Sequence, residues 1–506
     1  MGGRGGHPRR LAMLASALLA PGLASGTDTG TADPGALYAE HCAQCHGEAR
    51  LGGQGPALLP GNLRRLDREE AARVIAEGRA ATQMPGFAGR LSPRAIDGLV
   101  DFIYSPPEET PQWGRKRIEA SHRVLTPPGQ LPSEPQFAGD PLNLFLVVEK
   151  ADHHVTVLDG DRFEPIHRFA TRRDLHGGPK YSPDGRFVYL ASRDGWITKY
   201  DLYGLQKVAT VRAGINTRNI ALSADGQTLA VGNYLPHSLV LLDADDLTAR
   251  HVVPIRGRGG ESSRVSAVYT APPRDTFVVA LKDVTEVWEI PYGDLPQRRE
   301  PSIRRIELEG YLDDFFFTPD YRYLVGSARD GGARVLDLDK GEAVASLPLS
   351  GMPHLGSGVS WLRDGQRVLA TPNLRKGQVA VIDMGSWQVI ERIETQGPGF
   401  FLRTHEASPY AWVDVFFGPE RDAVHVIDKQ SLEIVKTLRP EPGKTAAHVE
   451  FTRDGSHALL SIWAEDGALV VYDAETLEPV KRVPMAKPSG KYNVYNKTRY
   501  VTGTSH

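Results

Sequence analysis

The sequence predicts a small all-α domain followed by a large all-β propeller of eight blades. The first observation is a set of helical patterns between residues 36 and 104, separated by loops rich in glycine and proline. The second is a repeat from Asn143 onward, in which a turn such as Ser-Pro-Asp-Gly precedes two alternating strands, an acidic residue and a polar loop. Eight copies at a period of about 41 to 50 residues are typical of four-stranded blades. We expect a signal peptide at 1–24, a helical domain at 30–105, a linker at 106–140 and the propeller at 141–506.

The N-terminal residues have the pattern of an export signal. Arg4, Arg9 and Arg10 precede the apolar run from 11 to 20, and small residues suited to cleavage follow. No later stretch reaches eighteen apolar residues, so we expect no membrane anchor. The formal net charge of −3 gives no reason to expect a nucleic-acid partner.

The helical domain contains the run Cys42-Ala43-Gln44-Cys45-His46. Two cysteines at this spacing with a histidine next to them are typical of covalent haem c, in which the cysteines form thioether bonds and the histidine ligates iron. Both cysteines of the chain are used here, so no structural disulfide competes. A zinc site would need further Cys or His ligands, and a bare redox pair leaves His46 without a role. An export signal together with haem c indicates a bacterial periplasm.

The rest of this domain fits a class I cytochrome c. Helical patterns cover residues 36–45, 68–76 and 93–104. Met84 lies in a Pro/Gly loop some forty residues after the haem motif, where a thioether sulfur serves as the sixth iron ligand. The alternative is a histidine ligand, with His41 or His122 nearest, but His41 is too close to the motif to reach the same iron.

The propeller repeat is clearest at 182–202, SPDGRFVYLASRDGWITKYDL. Asp-Gly turns between alternating strands indicate antiparallel hairpins. The short first copy at 143–159 and a trailing strand at 491–501 suggest that both termini contribute to one blade, which closes the ring and protects its edges. The alternative is a seven-bladed ring in which one weak copy is an insertion.

Polar residues recur just before the repeated turns, in segments that we expect to line the central channel. The residues at these points are His176, Arg218, Arg264, Asp313, Asp314, His354, Arg403, His405 and His448. Imidazole ligates haem iron and guanidinium pairs with carboxylates, so this ring suits a haem with many carboxylate arms. Arg193 and Lys282, in hairpin turns, add cationic contacts unless they are ordinary solvated turn residues.

A haem-c domain followed by an eight-bladed propeller with channel histidines resembles the cytochrome cd1 family over essentially the whole mature chain. The resemblance implies that the propeller holds haem d1, a macrocycle rich in carboxylates. His176, ahead of the 182–202 copy, matches the proximal iron ligand, and His354 and His405 match the distal pair. Arg218, Arg264 and Lys282 have surroundings similar to the basic residues that bind d1.

The family has a branch that reduces nitrite to nitric oxide and a biosynthetic branch that oxidises a propionate of dihydro-haem d1 to acrylate, with haem c as electron acceptor. The segment before Cys42 is short for the reductases, and the runs FFLRTHEASPYAWVDVFF and SGKYNVYNKT resemble the biosynthetic branch. We therefore expect the dehydrogenase, with nitrite reduction and non-enzymatic d1 carriage as alternatives.

For the dehydrogenase, the resemblance leaves open whether His176 or His405 ligates the d1 iron; His354 or the remaining histidine is the expected base. The expected partners are dihydro-haem d1, a soluble electron acceptor and a cytochrome cd1 nitrite reductase.

Overall fold

The structure, a computed structural model, describes residues 2, 33–52, 55–63, 66–78, 84–293, 295, 300–328 and 331–499. Apart from residue 2, the signal peptide expected at 1–24 lies outside these residues. Within the described ranges, no helix is long and apolar enough to cross a membrane.

The N-terminal part contains helices α1 (Pro34–His41), α2 (Ala43–His46), α3 (Arg68–Glu77) and α4 (Pro93–Tyr104). Their starts follow from side-chain caps, since Asp33, Asp67 and Ser92 each accept a hydrogen bond from a backbone N–H of the first turn. The apolar face of α4 packs against α1 in a core that includes Leu37 and Leu99. All three helical segments expected from the sequence are present.

The segment expected to be a linker forms structure of its own. It contains α5 (Arg115–Ser121), the short strand β1 (Arg123–Val124) and a 3₁₀ turn at Pro128–Gln130, and a second 3₁₀ turn at Pro141–Asn143 follows it. Ile118 of α5 is fully buried in a core otherwise formed by the propeller, because the hydrophobic side of this short helix packs on the outside of the ring. The segment is thus attached to the propeller.

The propeller has eight four-stranded sheets, numbered here in chain order. Blades 1 to 4 consist of β33 (Pro488–Asn493), β2 (Leu144–Glu149), β3 (His154–Asp159) and β4 (Glu164–Ala170); β5 (Lys180–Tyr181), β6 (Phe187–Ala191), β7 (Trp196–Asp201) and β8 (Gln206–Arg212), with β1 on the outer edge; β9 (Asn216–Leu222), β10 (Thr228–Leu235), β11 (Ser238–Asp243) and β12 (Ala249–Pro254); and β13 (Val265–Ala271), β14 (Thr276–Leu281), β15 (Glu286–Pro291) and β16 (Arg304–Glu307).

Blades 5 to 8 consist of β17 (Leu312–Phe317), β18 (Tyr323–Ala328), β19 (Ala333–Asp337) and β20 (Glu342–Leu347); β21 (Val359–Arg363), β22 (Gln366–Pro372), β23 (Gln378–Asp383) and β24 (Gln388–Glu394); β25 (Leu402–Thr404), β26 (Tyr410–Asp414), β27 (Val424–Asp428) and β28 (Ile434–Leu438); and β29 (Ala446–Phe451), β30 (His457–Ile462), β31 (Ala468–Asp473) and β32 (Pro479–Pro484). The eight-bladed fold expected from the repeat is confirmed.

Blade 1 is shared by the two ends of the propeller. Its inner strand β33 pairs antiparallel with β2, so that Phe145 lies opposite Asn493. The expected ring closure is therefore present, but the strand expected at 491–501 is shorter. Asn493 ends β33 and caps helix α6 (Val494–Thr498) by accepting a hydrogen bond from Asn496 N, so the chain turns into a helix there.

The repeated turns have a common hydrogen-bond pattern. In the clearest copy, Ser182 Oγ accepts from Phe187 N at 2.9 Å, while Asp184 accepts from Arg186 N at 3.1 Å. These bonds satisfy the backbone of a tight turn. The inner strands all run in one direction, so the residues that precede them gather at one end of the channel, here called the mouth, and the turns lie at the other end.

Candidate functional site

The haem-attachment motif lies where α1 meets α2, with Cys42 between the two helices and Cys45 and His46 in α2. His46 is 7% exposed, and its Nδ1 lies 2.8 Å from Pro56 O. Because a carbonyl can only accept, Nδ1 carries the proton and Nε2 presents its lone pair, as an axial haem ligand requires. A Cβ on Gly55 would lie 2.6 Å from the His46 ring, so the loop closes tightly over the imidazole. These residues fit covalent haem c.

Met84, the expected sixth ligand, lies in the loop between α3 and α4. Its half-buried side chain packs against the core of the helical domain, where Leu37, Phe87 and Leu99 also lie. A thioether in this apolar surrounding suits iron ligation. Its role as a ligand stays a prediction.

Two histidines face each other across the propeller channel. His176 precedes the inner strand of blade 2 and His354 precedes that of blade 6, four blades apart in a ring of eight. The Nδ1 atoms of His176 and His354 each lie 2.7 Å from a backbone carbonyl, that of Arg218 and that of Phe400 respectively. Both rings therefore carry the proton on Nδ1 and present Nε2 as the metal-binding nitrogen.

An ion pair lies between these histidines. Arg218 Nη2 is 3.3 Å from Asp314 Oδ2, and Tyr269 donates its hydroxyl to Asp314 Oδ1 at 2.8 Å. Burial holds the pKa of His354 below its usual range, and the charges of Arg218 and nearby Arg403 lower it further. His354 is therefore a neutral imidazole near pH 7, the form that can ligate iron.

The remaining cations expected from the sequence gather around Tyr234, a residue of β10. The charged groups of Arg193, Arg264 and Lys282 lie 6.0, 5.5 and 5.8 Å from the centre of its ring. Arg193 Nη2 also lies 2.8 Å from His176 Nε2. The structure thus brings all three to the His176 side of the channel, which argues against ordinary solvated turn residues.

A crevice opens beside this cation group. It has a volume of about 520 Å³ and lies between the 59–61 loop of the helical domain, the 106–111 segment and blades 3 and 4. Tyr234, His237 and Arg264 form its propeller side. The helical domain therefore sits next to the channel mouth, and both can contact one ligand.

Deeper in the channel lies a group of buried cations. Arg403 is 6% exposed; its Nε has no partner among the described residues, and its guanidinium makes a single long hydrogen bond, to Leu402 O at 3.5 Å. Lys491 and Lys497 lie nearby, and burial lowers the pKa of each to about 7. Charged groups buried in a protein are unfavourable unless groups of opposite charge bind them. A macrocycle rich in carboxylates supplies such anions, so the chamber fits haem d1 chemistry.

His448 and Tyr492 line this chamber on β29 and β33. Their ring centres are 5.2 Å apart, and His448 Nε2 is buried without a hydrogen-bond partner in the described part of the chain. Burial, and then the charge of Lys491, hold the pKa of His448 well below its usual value, so the ring is a neutral base. The sequence placed His448 among the channel residues without a specific role, and it included Tyr492 only within the run SGKYNVYNKT, without singling it out.

The position of His448 depends on an irregularity in β29. Its φ is 52°, and the register of β29 against β30 shifts between Ala447 and Val449. Such a bulge changes the direction of a side chain within a strand. The alternation of the sequence contains no mark of this shift.

His405 does not join the channel group, contrary to the expectation from the sequence. Its ring lies against the turn between β29 and β30, where a Cβ on Gly455 would be 2.3 Å from His405 Nδ1. It follows Phe401 by four residues along the inner strand, a distance of about 13 Å at the rise of a β-strand. The strand therefore carries His405 to the turn end of the channel, away from His176 and His354.

Aromatic side chains of blades 7 and 8 form a wall at the mouth. Phe400 is 4.4 Å from the His354 ring and 4.5 Å from Phe401, and Phe416 is 5.3 Å from Trp463, centre to centre. Flat apolar surface next to His354 suits the face of a tetrapyrrole.

The helical domain with its haem motif and the propeller with opposed histidines together define a two-domain haem protein. The Cytochrome D1 heme domain family matches residues 139–497, and the family of subunit III of cbb3-type cytochrome C oxidase matches residues 30–103. The chain belongs to the cytochrome D1 heme domain family, with a cytochrome c domain in front.

Full-length relatives share this arrangement. The chain is 59% identical to the dihydro-heme d1 dehydrogenase of Pseudomonas aeruginosa over 498 residues, covering 98% of this chain and 100% of the relative. It is 25% identical to the nitrite reductase of Stutzerimonas stutzeri over 520 residues, covering 91% and 92%. A solved structure of a dihydro-heme d1 dehydrogenase in complex with DHE superposes with a TM-score of 0.89 at 60% identity, covering 92% of this chain and 100% of that one.

Proposed function

We propose that this protein binds dihydro-haem d1 in the propeller channel and oxidises one propionate side chain to acrylate, producing haem d1. The observation that carries the proposal is the pairing of two opposed histidines with a buried chamber of cations. His176 and His354 would hold the iron through their Nε2 atoms, and the cations would bind the carboxylate arms. The similarity to the dehydrogenase of P. aeruginosa over the whole chain supports the same reaction.

The binding roles follow from position. His176 and His354 would hold the iron. Arg193, Arg218, Arg264 and Lys282 bind carboxylates near the mouth, and Arg403, Lys491 and Lys497 bind those that reach into the chamber. Arg193 Nη2 lies 2.8 Å from His176 Nε2, and because the imidazole has one lone pair there, Arg193 would be available to a carboxylate if that nitrogen held iron.

His448 is the base in this proposal. Conversion of a propionate to an acrylate removes two hydrogens from adjacent carbons, in total two protons and two electrons. His448 Nε2 is a neutral, buried acceptor that takes the first proton, and Tyr492 lies beside it to orient the side chain. The second proton goes to the neutral amine of Lys491, whose pKa is about 7, and the two electrons go to haem c in turn. His354, to which the sequence also allowed this role, is used for iron instead.

Cys42, Cys45 and His46 would hold haem c, which supplies a one-electron acceptor next to the channel. Since each oxidation releases two electrons, the protein passes them on one at a time to a soluble acceptor. The product has its use in a cytochrome cd1 nitrite reductase, which is the recipient we propose. The export signal expected at 1–24 and covalent haem c support a periplasmic location.

The channel histidines also help to decide between dehydrogenation and the two alternatives, nitrite reduction and non-enzymatic carriage of d1. An iron with imidazole on both sides has no open position for nitrite, which disfavours nitrite reduction. A carrier needs no catalytic base, so it does not account for the buried Nε2 of His448, and this disfavours the carrier.

The test is anaerobic incubation of the haem-c protein with dihydro-haem d1, followed by extraction and chromatography of the macrocycle, with a parallel sample given nitrite and reductant. Conversion to haem d1 supports the proposal. Release of nitric oxide at enzymatic rates without conversion supports the reductase, and bound but unchanged macrocycle supports the carrier.

A further inference from the structure

A single guanidinium bridges the cytochrome domain and blade 2. Arg212, the last residue of β8, is 6% exposed. Its Nη2 donates to Leu51 O at 2.6 Å, and its Nε donates to Asp194 O at 2.9 Å. Leu51 belongs to the cytochrome domain and Asp194 to the β6–β7 hairpin, so one side chain contacts both parts, beside an apolar contact of Ala57 and Leu59 with Ile215.

The cytochrome end of this bridge leads to the haem ligand. Leu51 lies in the loop after the attachment motif, and its neighbour Gly52 donates its N–H to His46 O at 2.8 Å. Gly55 N donates to Cys45 O at 2.7 Å in the same loop. A contact that fixes Leu51 therefore fixes the segment that encloses His46.

The propeller end leads to the macrocycle site. Arg193 is the neighbour of Asp194 in the hairpin, and its Nη2 lies 2.8 Å from His176 Nε2. Ligation of iron by this nitrogen displaces Arg193. Arg193, which must move when the macrocycle binds, is therefore the chain neighbour of Asp194, whose carbonyl accepts the hydrogen bond from Arg212.

The surroundings of Arg212 hold its guanidinium in place. Its guanidinium lies 4.5 Å from the centre of the Trp113 ring, and Trp113 Nε1 donates to Arg212 O at 2.8 Å. Over the described ranges its side chain makes no ion pair; it donates only to carbonyls, and burial lowers its pKa. The buried carboxyl of Asp194 acts on the guanidinium only through its charge, which raises the pKa, whereas both hydrogen bonds go to backbone carbonyls of different parts of the chain. This placement favours a coupling role.

We propose that Arg212 is a positioning residue that couples macrocycle binding in the channel to the loop around haem c. Displacement of Arg193 moves the hairpin, Arg212 transmits the shift to Leu51, and the surroundings of His46 change. The identity of the macrocycle rests on the proposed function, whereas the bridge itself does not.

The first test is hydrogen–deuterium exchange of the haem-c protein without macrocycle. Arg212→Met removes both hydrogen bonds and keeps an apolar side chain. Exchange of amides 47–55 should become about two- to thirtyfold faster, the range for a single coupling residue. Arg117→Met is the matched control, because exposed Arg117 also lies over Trp113, at 5.7 Å, but donates no hydrogen bond to the loop. Unchanged exchange in Arg212→Met overturns the proposal.

The second test is redox titration of haem c with and without bound haem d1. Binding should shift the midpoint potential in the parent and in Arg117→Met, and shift it less in Arg212→Met; equal shifts, or no shift in the parent, overturn the coupling. Arg212→Lys keeps the charge but cannot donate to both carbonyls, so it should have the same effects as Arg212→Met. It replaces Arg212→Met in both tests if that variant does not fold. If exchange of amides 47–55 is faster in Arg212→Met as expected, but the protein does not oxidise dihydro-haem d1, the result contradicts the proposed function and not the Arg212 bridge.

Discussion

Replacement of His448 by Gln removes the proposed base while keeping a polar side chain of similar reach. General-base catalysis contributes about 10²- to 10⁴-fold in rate. Lys491, whose pKa is about 7, donates to His448 O and can accept a proton in its neutral form. We therefore expect the lower part of the range, a loss of about hundredfold, which corresponds to about 2.7 kcal/mol.

The assay is anaerobic single-turnover conversion of dihydro-haem d1, monitored by the absorbance of haem c and by chromatography of the extracted macrocycle. Affinity for the macrocycle should stay within about threefold of the parent, because His448 makes no ion pair with a carboxylate arm. His457→Gln is the control, since His457 lies in the same blade but in β30, away from the channel. A parent-like rate in His448→Gln would refute the assignment of the base.

The pH dependence follows from the same residue. Because burial holds the pKa of His448 well below 6.5, the neutral form that accepts a proton persists to lower pH than for an exposed histidine. The single-turnover rate should therefore stay level from pH 8 down through about pH 6.5 and fall only below it. A fall centred near pH 6.5 or above would contradict a buried neutral base.

Three further outcomes are expected. Arg403→Met should weaken macrocycle binding about tenfold to hundredfold, measured by titration of absorbance, because a charged hydrogen bond contributes about 1.5–3 kcal/mol; unchanged affinity contradicts the chamber. His176→Ala with His354→Ala should abolish the spectrum of six-coordinate d1 iron, whereas His405→Ala should leave it intact. Binding should take up protons and weaken as pH rises above about 7, because Lys491 is largely neutral there without ligand and charged beside a carboxylate; calorimetry in buffers of different ionisation enthalpy measures this uptake.

Features that depend on a local sequence pattern could be predicted from the sequence. The Cys-x-x-Cys-His motif needs only its own spacing, and the turn at Ser182 is stabilised by bonds within five residues. Position in the repeat also placed His176 and His354 before inner strands, and the eight-fold ring then sets them opposite each other. The channel ring could thus be expected in outline.

Features that depend on strand length and register could not be predicted from the sequence. His405 misses the channel because β25 is a strand of only three residues that ends just before it, at the turn end. His448 reaches the channel through a bulge in β29. Tyr234 lies close to one cation from blade 2 and two from blade 4, an arrangement that only the closed ring produces. In each case the deciding contact is distant in sequence.

The most direct measurement of the central claim is the electron count of a single turnover. Oxidised haem-c protein is mixed anaerobically with dihydro-haem d1 at half its concentration, reduced haem c is measured by absorbance, and the macrocycle is then extracted for mass analysis. The expected result is a macrocycle that has lost two hydrogens and two reduced haem c groups for each one converted. An unchanged macrocycle with haem c still oxidised, although the pigment is bound, would contradict the proposed dehydrogenation.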